Sequence, residues 1–266
     1  MQAMAADGAR IHFDVSGSGE PLLLLAGQAN ARTWWDPVRT DFTGAHRTIA
    51  VDALGTGHSA APDAARYSTR RFAADAVAVL DSAGVERAHV YGTSMGGKVA
   101  QWLAIDHPHR IGSLILGCTT PGGPNALVAG SEVVAPLAGP TAAARQALAE
   151  LMVTPGWLEA HPDAEVAAVL GDAGMASSAR RGHRRASAAH DASDRLGEIT
   201  APALLLHGSD DLFCPPGNAE LLEKSISGAQ RVQFERARHA YFLEQREHAS
   251  RAVLDFLAAH PLSAVR

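Results

Sequence analysis

The sequence is poor in cysteine and contains no long apolar run. Two cysteines, Cys118 and Cys214, are too few for a disulfide framework, and we expect reduced thiols in a cytoplasmic protein. No apolar stretch approaches the roughly 20 residues that span a membrane, so no membrane association is expected. The N-terminal residues lack a basic segment followed by an apolar core, and a secretory signal is therefore not expected.

The chain also lacks an excess of positive charge. Its net charge is −5 and its pI is near 6.2, which gives no electrostatic footprint for nucleic acid. Hydrophobic residues make up 47% and charged residues 19%, as in ordinary globular enzymes. These values indicate no nucleic-acid partner, and they leave the oligomeric state open.

Apolar segments with strand character alternate with segments of helical periodicity. The predicted strands are 9–15, 21–26, 46–51, 88–91, 111–117, 203–208 and 230–234, and the predicted helices are 35–42, 69–84, 95–106, 216–226 and 240–259. This alternation predicts an α/β fold with a mostly parallel sheet covered by helices on both faces. Ligands bind such sheets at the carboxyl ends of the strands.

The alternation stops between residues 121 and 198. This segment is rich in alanine, shows no good strand and has helical stretches near 126–135, 141–153, 163–173 and 177–191. We interpret it as a helical cap inserted into a sheet domain formed by 1–120 and 199–266.

A glycine-flanked serine lies between a predicted strand and a predicted helix. The run Gly92-Thr93-Ser94-Met95-Gly96 has the G-x-S-x-G pattern of a nucleophile elbow, in which a sharp turn exposes the serine hydroxyl. Side chains two residues either side would collide with that turn, which explains both glycines. An ordinary serine in a strand-to-helix turn is the alternative, because short motifs match by chance.

A serine nucleophile needs a base, and the base needs an orienting acid. Two later strand ends supply such groups: Asp210 and Asp211 after 203–208, and His239 after 230–234. The chain order is then Ser, Asp, His.

These runs resemble the α/β-hydrolase superfamily over nearly the whole chain, and among its members the bacterial esterases and lactonases of the 3-oxoadipate enol-lactonase and aclacinomycin methylesterase type. The matching runs are Gly92 to Gly97, the G-x-x-D-x-x-x-P run from Gly208 to Pro215, and His239 with Phe242-Leu243-Glu244. The implied fold is the α/β-hydrolase fold with a cap inserted after its sixth strand.

The resemblance also implies roles for individual residues. Ser94 is the implied nucleophile, His239 the base and Asp211 the acid, since the family places the acid three residues after the glycine. The implied oxyanion hole consists of the N–H groups of Met95 and Gln28. The chain departs from the family in having Ala26-Gly27 where many members have His-Gly, and Arg236-Ala237-Arg238-His239 where many have Gly-x-Gly-His.

Five further residues are candidates for the substrate pocket, namely Gly27, Trp35, Thr119, His190 and Leu212. Trp35 follows the oxyanion loop and either walls the pocket or packs in the core. His190 in the cap either faces the substrate or is a solvated helix residue. The basic run Arg180 to Arg185 either docks an anionic substrate or a carrier protein, or forms a solvated helix face.

The expected activity is that of a serine hydrolase that cleaves a carboxylic ester or lactone through an acyl-enzyme. The same triad serves C–C bond hydrolases and thioesterases. A lyase, a cyclase or a ligand-binding protein on this scaffold also remains open, because fold does not settle function. We expect no cofactor and no metal.

Overall fold

The computed structural model describes residues 1–63, 66–139, 141–161 and 166–262. An eight-stranded sheet forms its centre. The strands are β1 (Gln2–Met4), β2 (Arg10–Ser16), β3 (Glu20–Leu25), β4 (His46–Val51), β5 (Ala88–Thr93), β6 (Ile111–Gly117), β7 (Ala203–Gly208) and β8 (Gln230–Phe234). Their order across the sheet is β1-β2-β4-β3-β5-β6-β7-β8. The pairs β1–β2 and β2–β4 are antiparallel and the others are parallel.

Helices cover both faces of the sheet. They are α1 (Asp36–Thr43), α2 (Thr69–Ser82), α3 (Met95–Asp106), α4 (Ser131–Val134), α5 (Ala142–Met152), α6 (Pro155–Ala160), α7 (Ser177–Ala188), α8 (Gly217–Ser225), α9 (Tyr241–Glu244) and α10 (Arg246–Ala259). None of the helices in the described ranges is both long and apolar enough to cross a membrane.

The apolar run of β3 explains how both faces are covered. Successive side chains of a strand point to opposite faces. Leu23 and Leu25 therefore join the core beneath α2 and α3, whereas Leu22 and Leu24 join the core beneath α1 and α10. All four leucines are buried, as a central parallel strand requires.

The observed elements agree with the predicted α/β fold and differ from the predictions in the bounds and number of some elements. The edge strand β1 was not predicted; only its central residue, Ala3, is buried, so its apolar pattern is weak. The predicted helix over 240–259 is two helices, which meet at Gln245 with φ −125° and ψ 47°. The short helix α6 was also not predicted.

The described part of the segment between β6 and β7 consists of helices joined by turns and irregular stretches. Of the helices predicted there, 141–153 and 177–191 correspond to α5 and α7, whereas 126–135 shortens to α4 followed by a 3-10 turn over Ala135–Leu137. The stretch predicted over 163–173 begins outside the described residues, and its described part, 166–173, is mainly turn. In the described part of this segment, β pairing is limited to one isolated bridge between Gly122 and Asp191.

Candidate active site

Ser94 lies at the turn between β5 and α3 in a strained backbone conformation. Its φ is 54° and its ψ is −121°, values that side chains with a Cβ rarely adopt. The Ser94 N–H donates to Gly117 O at 2.8 Å, and Thr119 Oγ1 donates to Ser94 O at 2.7 Å. These two bonds from the end of β6 hold the turn in place, so the surrounding structure supports the strain.

The two glycines of the elbow are required by close backbone approach. A Cβ at Gly92 would lie 2.3 Å from Gly96 O, and a Cβ at Gly96 would lie 2.1 Å from Leu25 O. The second contact brings the first turn of α3 against the end of β3, where the loop containing Gln28 begins. The elbow and this loop therefore lie side by side because position 96 has no side chain.

Asp211 and His239 meet at the ends of β7 and β8. His239 Nδ1 lies 2.8 Å from Asp211 Oδ2. The other carboxylate oxygen, Oδ1, accepts the N–H groups of Phe213 at 2.9 Å and Cys214 at 2.8 Å. Asp211 is buried and its orientation is set by hydrogen bonds with His239 and the two amides, whereas Asp210 is exposed and accepts from its neighbour Ser209.

A second histidine contacts the same carboxylate. His207 Nε2 lies 3.3 Å from Asp211 Oδ2 and 2.7 Å from Cys214 O. Burial on its own would lower the pKa of His207, but the bonds to Asp211 and Cys214 raise it to about 10. Burial on its own would raise the pKa of Asp211, but the charges and hydrogen bonds of His239 and His207 lower it to about 2. Asp211 is therefore an ionised carboxylate at neutral pH.

Residues of the inserted segment hold the loop after β3 in place by hydrogen bonds. Ala29 has φ 58°, and its N–H donates to His183 Nδ1 in α7 at 3.2 Å. Asp172 N–H donates to Ala29 O at 2.7 Å, and Asn30 Nδ2 donates to Gln28 O at 3.0 Å. The position of Gln28 is thus fixed by bonds on both sides of it.

Ser94 and His239 open onto one cavity of about 250 Å³. The lining residues are Gln28, Ser94, Lys98, Cys118, Thr119, Thr120, Leu127, Val128, Ala129, Val134, Ser187, Phe213, Cys214 and His239. Met95 lies in the first turn of α3, where backbone N–H groups have no partner within the helix. Of the residues predicted for catalysis, Ser94, His239 and Gln28 therefore face a common space.

Of the five residues predicted for the pocket, Thr119 lines the cavity and the others lie elsewhere. Trp35 is fully buried in the core, with its ring 4.7 Å from that of Tyr91. Gly27 packs against the ring of Trp34, which a Cβ would approach to 3.2 Å. Neither residue lines the cavity.

His190 and Leu212 are also placed away from the cavity. His190 is buried between α2 and α3, with Nδ1 3.1 Å from Thr69 Oγ1 and Nε2 3.3 Å from Gln101 Oε1. It is neither solvated nor directed at the cavity, and burial lowers its pKa to about 3. Leu212 is 49% exposed. Helical periodicity alone could not distinguish these orientations.

The cavity contains residues that the sequence did not identify. Lys98 follows Ser94 by four residues, and that spacing on a helix is the signal that could have placed it beside the serine. Cys118 and Cys214 also line the cavity as free thiols, because they follow the neighbouring strands β6 and β7. In the basic run, Arg181, Arg184 and Arg185 are exposed, whereas His183 is buried, so the run forms a solvated face.

Comparison with known proteins assigns the chain to a family. The model of the family described as alpha/beta hydrolase fold matches residues 20–245. The chain is 31% identical over 261 residues to a protein of Variovorax paradoxus (strain S110) named "Putative carbamate hydrolase RutD", covering 93% of this chain and 96% of that one. It is 30% identical over 274 residues to a 2-hydroxymuconate semialdehyde hydrolase of Pseudomonas putida, covering 95% and 92%.

A solved structure shows the same fold. The enol-lactonase from Burkholderia xenovorans LB400 superimposes with a TM-score of 0.81 at 24% identity, covering 97% of this chain and 100% of that one. The sheet order, the helices on both faces and the family match agree with one another. The chain belongs to the α/β-hydrolase fold family.

Proposed function

We propose that this chain is a serine hydrolase that cleaves a carboxylic ester or lactone through an acyl-enzyme. The observation that carries the proposal is the 2.8 Å contact of His239 Nδ1 with Asp211 Oδ2, with His239 and Ser94 lining the same cavity. A carboxylate on Nδ1 fixes the tautomer whose Nε2 can accept a proton. That is the arrangement a serine nucleophile needs.

In the proposed reaction, Ser94 Oγ attacks the substrate carbonyl while His239 takes its proton. The resulting imidazolium is stabilised by the ionised Asp211. The developing oxyanion accepts hydrogen bonds from the backbone N–H groups of Met95, in the elbow, and Gln28, in the loop after β3. His239 then protonates the leaving group. In the second half of the reaction, a water molecule attacks the acyl carbonyl while His239 takes its proton. His239 returns this proton to Ser94 Oγ as the acid product leaves.

The inserted segment is proposed to act as the cap over the core formed by 1–120 and 199–266. It supplies Leu127, Val128, Ala129, Val134 and Ser187 to the cavity. The cavity volume suits a small-molecule substrate.

C–C bond hydrolysis is a second candidate for the same site. The relative from Pseudomonas putida, at 30% identity, is named as a hydrolase of 2-hydroxymuconate semialdehyde. The triad arrangement would serve this reaction equally, since the bond that breaks is set by the substrate. Thioesters are a third class for the same assay panel.

The test combines labelling and turnover. A fluorophosphonate should label the wild-type protein and the Ser187→Ala control, and should not label Ser94→Ala. Purified wild-type protein should hydrolyse members of an ester and lactone panel, and Ser94→Ala should lose several orders of magnitude in kcat. Turnover only of vinylogous 1,5-diketones would favour C–C hydrolysis. Labelling without any turnover would favour a lyase, a cyclase or a binding protein, and an unchanged rate in Ser94→Ala would refute the mechanism.

A further inference from the structure

A half-buried lysine lies beside the serine in the cavity. The sequence contains only two lysines, Lys98 and Lys224, against 21 arginines. Lys98 is in the second turn of α3, four residues after Ser94, and lines the cavity with Ser94 and His239. Burial lowers the pKa of Lys98, against the opposing effect of the nearby Cys214.

The partners of the Lys98 ammonium are neutral. Nζ donates to Ser187 O at 2.9 Å and to Ser187 Oγ at 3.0 Å, both at the end of α7. Across 1–63, 66–139, 141–161 and 166–262, no carboxylate lies within 4.0 Å of this nitrogen. An ammonium has three donors, so one remains after the bonds to Ser187. Even partial burial of a cation without an anionic partner costs solvation energy, which distinguishes Lys98 from the paired arginines of this chain.

The rest of the cavity offers no competing anion. Its lining contains neither Asp nor Glu among the described residues, and Lys98 is the lone Lys or Arg side chain there. Asp211 lies behind His239 and is already bonded to two histidines and two amides. An anionic group that enters the cavity therefore meets a cation with an unused donor and no acid that repels it.

We propose that Lys98 binds a carboxylate of the substrate, so that the substrate is an anionic ester or lactone. This inference rests on the proposed function and specifies its substrate class. The carboxylate can belong to the acyl part or to the leaving group. In either case the Lys98–carboxylate pair orients the scissile carbonyl relative to Ser94, because both residues project from the same end of α3.

A purely structural role for Lys98 is the alternative. By donating to Ser187 O, Lys98 satisfies a carbonyl in the last turn of α7 and ties that helix to α3. A latch of this kind affects all substrates alike. An anion-binding role affects carboxylated substrates selectively.

The experiment uses two pairs of matched esters. Monophenyl succinate and phenyl levulinate differ by a carboxylate in the acyl part, and 4-acetoxybenzoate and 4-acetoxyacetophenone differ by a carboxylate in the leaving group. The measured quantity is the ratio of kcat/KM for the anionic ester to that for its neutral partner. In Lys98→Met this ratio should fall by about 10- to 100-fold in one of the two pairs, as expected for loss of a charged hydrogen bond.

Two variants serve as controls for the ratio. Lys98→Arg keeps the charge and should retain most of the preference. Arg184→Met removes an exposed cation of α7 outside the cavity and should keep the wild-type ratio. An unchanged ratio in Lys98→Met for both pairs would overturn the proposal.

A binding measurement tests the proposal even if no ester is turned over or the Lys98→Met protein does not fold. Titration calorimetry of Ser94→Ala with the four esters should show tighter binding of the carboxylated member in one pair. Equal binding within both pairs would overturn the role of Lys98. Failure of the proposed function gives a different result: no ester is hydrolysed and the fluorophosphonate does not label Ser94.

Discussion

His183 in α7 accepts a hydrogen bond from the backbone N–H of Ala29, 154 positions earlier in the sequence. The other ring nitrogen, Nε2, lies 2.6 Å from Leu54 O and donates to it. Nδ1 can accept only when it is unprotonated, so the contact requires neutral His183. Burial lowers the pKa of His183 to about 4, which keeps the ring neutral at physiological pH.

Replacing this histidine should weaken the oxyanion hole. In His183→Phe, the buried Ala29 N–H and Leu54 O lose their partner, and each unpaired group costs about 1–3 kcal/mol. Because Gln28 adjoins Ala29, we expect kcat to fall by up to about 100-fold, approaching the effect of losing one oxyanion donor. Steady-state kinetics should show this in kcat more than in KM. The exposed His109→Phe is the control, and an equal loss there would contradict the role of His183.

The lowered pKa of His183 also predicts that the folded protein loses stability in acid. The folded pKa of about 4 lies below the ordinary value of 6.5, so the unfolded chain binds more protons between these values. The contribution of His183 to the free energy of unfolding is therefore present above pH 6.5 and is lost as the pH falls towards 4. Urea denaturation over this range should show a shallower decline in His183→Phe than in the wild type. Parallel curves would contradict the prediction.

The raised pKa of His207 predicts the opposite pH dependence: the free energy of unfolding should fall in base. This pKa of about 10 lies above the ordinary 6.5, so the folded chain binds the extra proton between these values. The stabilisation is fully present below pH 6.5 and is lost as the pH rises through 10. In His207→Gln, which can still donate to Cys214 O, the free energy of unfolding should decline less between pH 6.5 and 10. The exposed His109→Gln should follow the wild-type curve, and a His207→Gln curve identical to it would refute the assignment.

Gly96 should not tolerate alanine. Its Cβ would lie 2.1 Å from Leu25 O and 2.7 Å from Ala26 O, both backbone atoms that cannot move without displacing the oxyanion loop. We expect Gly96→Ala to lose about 1–3 kcal/mol of stability, as overpacked sites do, and most of its activity. Gly44→Ala is the matched control, since it has φ −70° and no atom within 4 Å of the new Cβ. Full activity in Gly96→Ala would contradict the proposed contact between elbow and loop.

Glycine at position 236 should give a more stable protein than alanine at the same position. Arg236 has φ 60° at a position where the sequence resemblance expects glycine, and the left-handed region costs a residue with a Cβ about 1–2 kcal/mol. Arg236→Ala keeps this strain, whereas Arg236→Gly removes it at the cost of a more flexible unfolded chain. Thermal unfolding should therefore place Arg236→Gly above Arg236→Ala. A higher melting temperature for the alanine variant would contradict the strain.

The strands and the triad geometry follow from features that a sequence displays. Runs such as Leu22 to Leu25 are buried on both faces and can be recognised without a partner sequence. Strand ends meet at one edge of a parallel sheet, so Asp211 and His239 could be placed together once their strands were predicted. The choice between Asp210 and Asp211 needed the family resemblance, because both follow β7.

The pocket could not be predicted in the same way. Trp35 and His190 face the core because of contacts with residues far away in the sequence, Tyr91 for the former and Thr69 for the latter. The break at Gln245 has a similar origin: Glu244 turns inward to accept the N–H groups of Thr154 and Arg238. Local periodicity contains no information about such long-range partners.

The cavity wall is divided between two parts of the chain. Ser94 and His239 follow the ends of sheet strands, whereas Leu127, Val128 and Val134 come from the inserted segment, and Val128 is 81% exposed. Mutations at these apolar positions alter the shape of the wall without touching the reacting groups. Substitutions in the insertion can therefore reshape the wall while the proposed catalytic residues keep their positions.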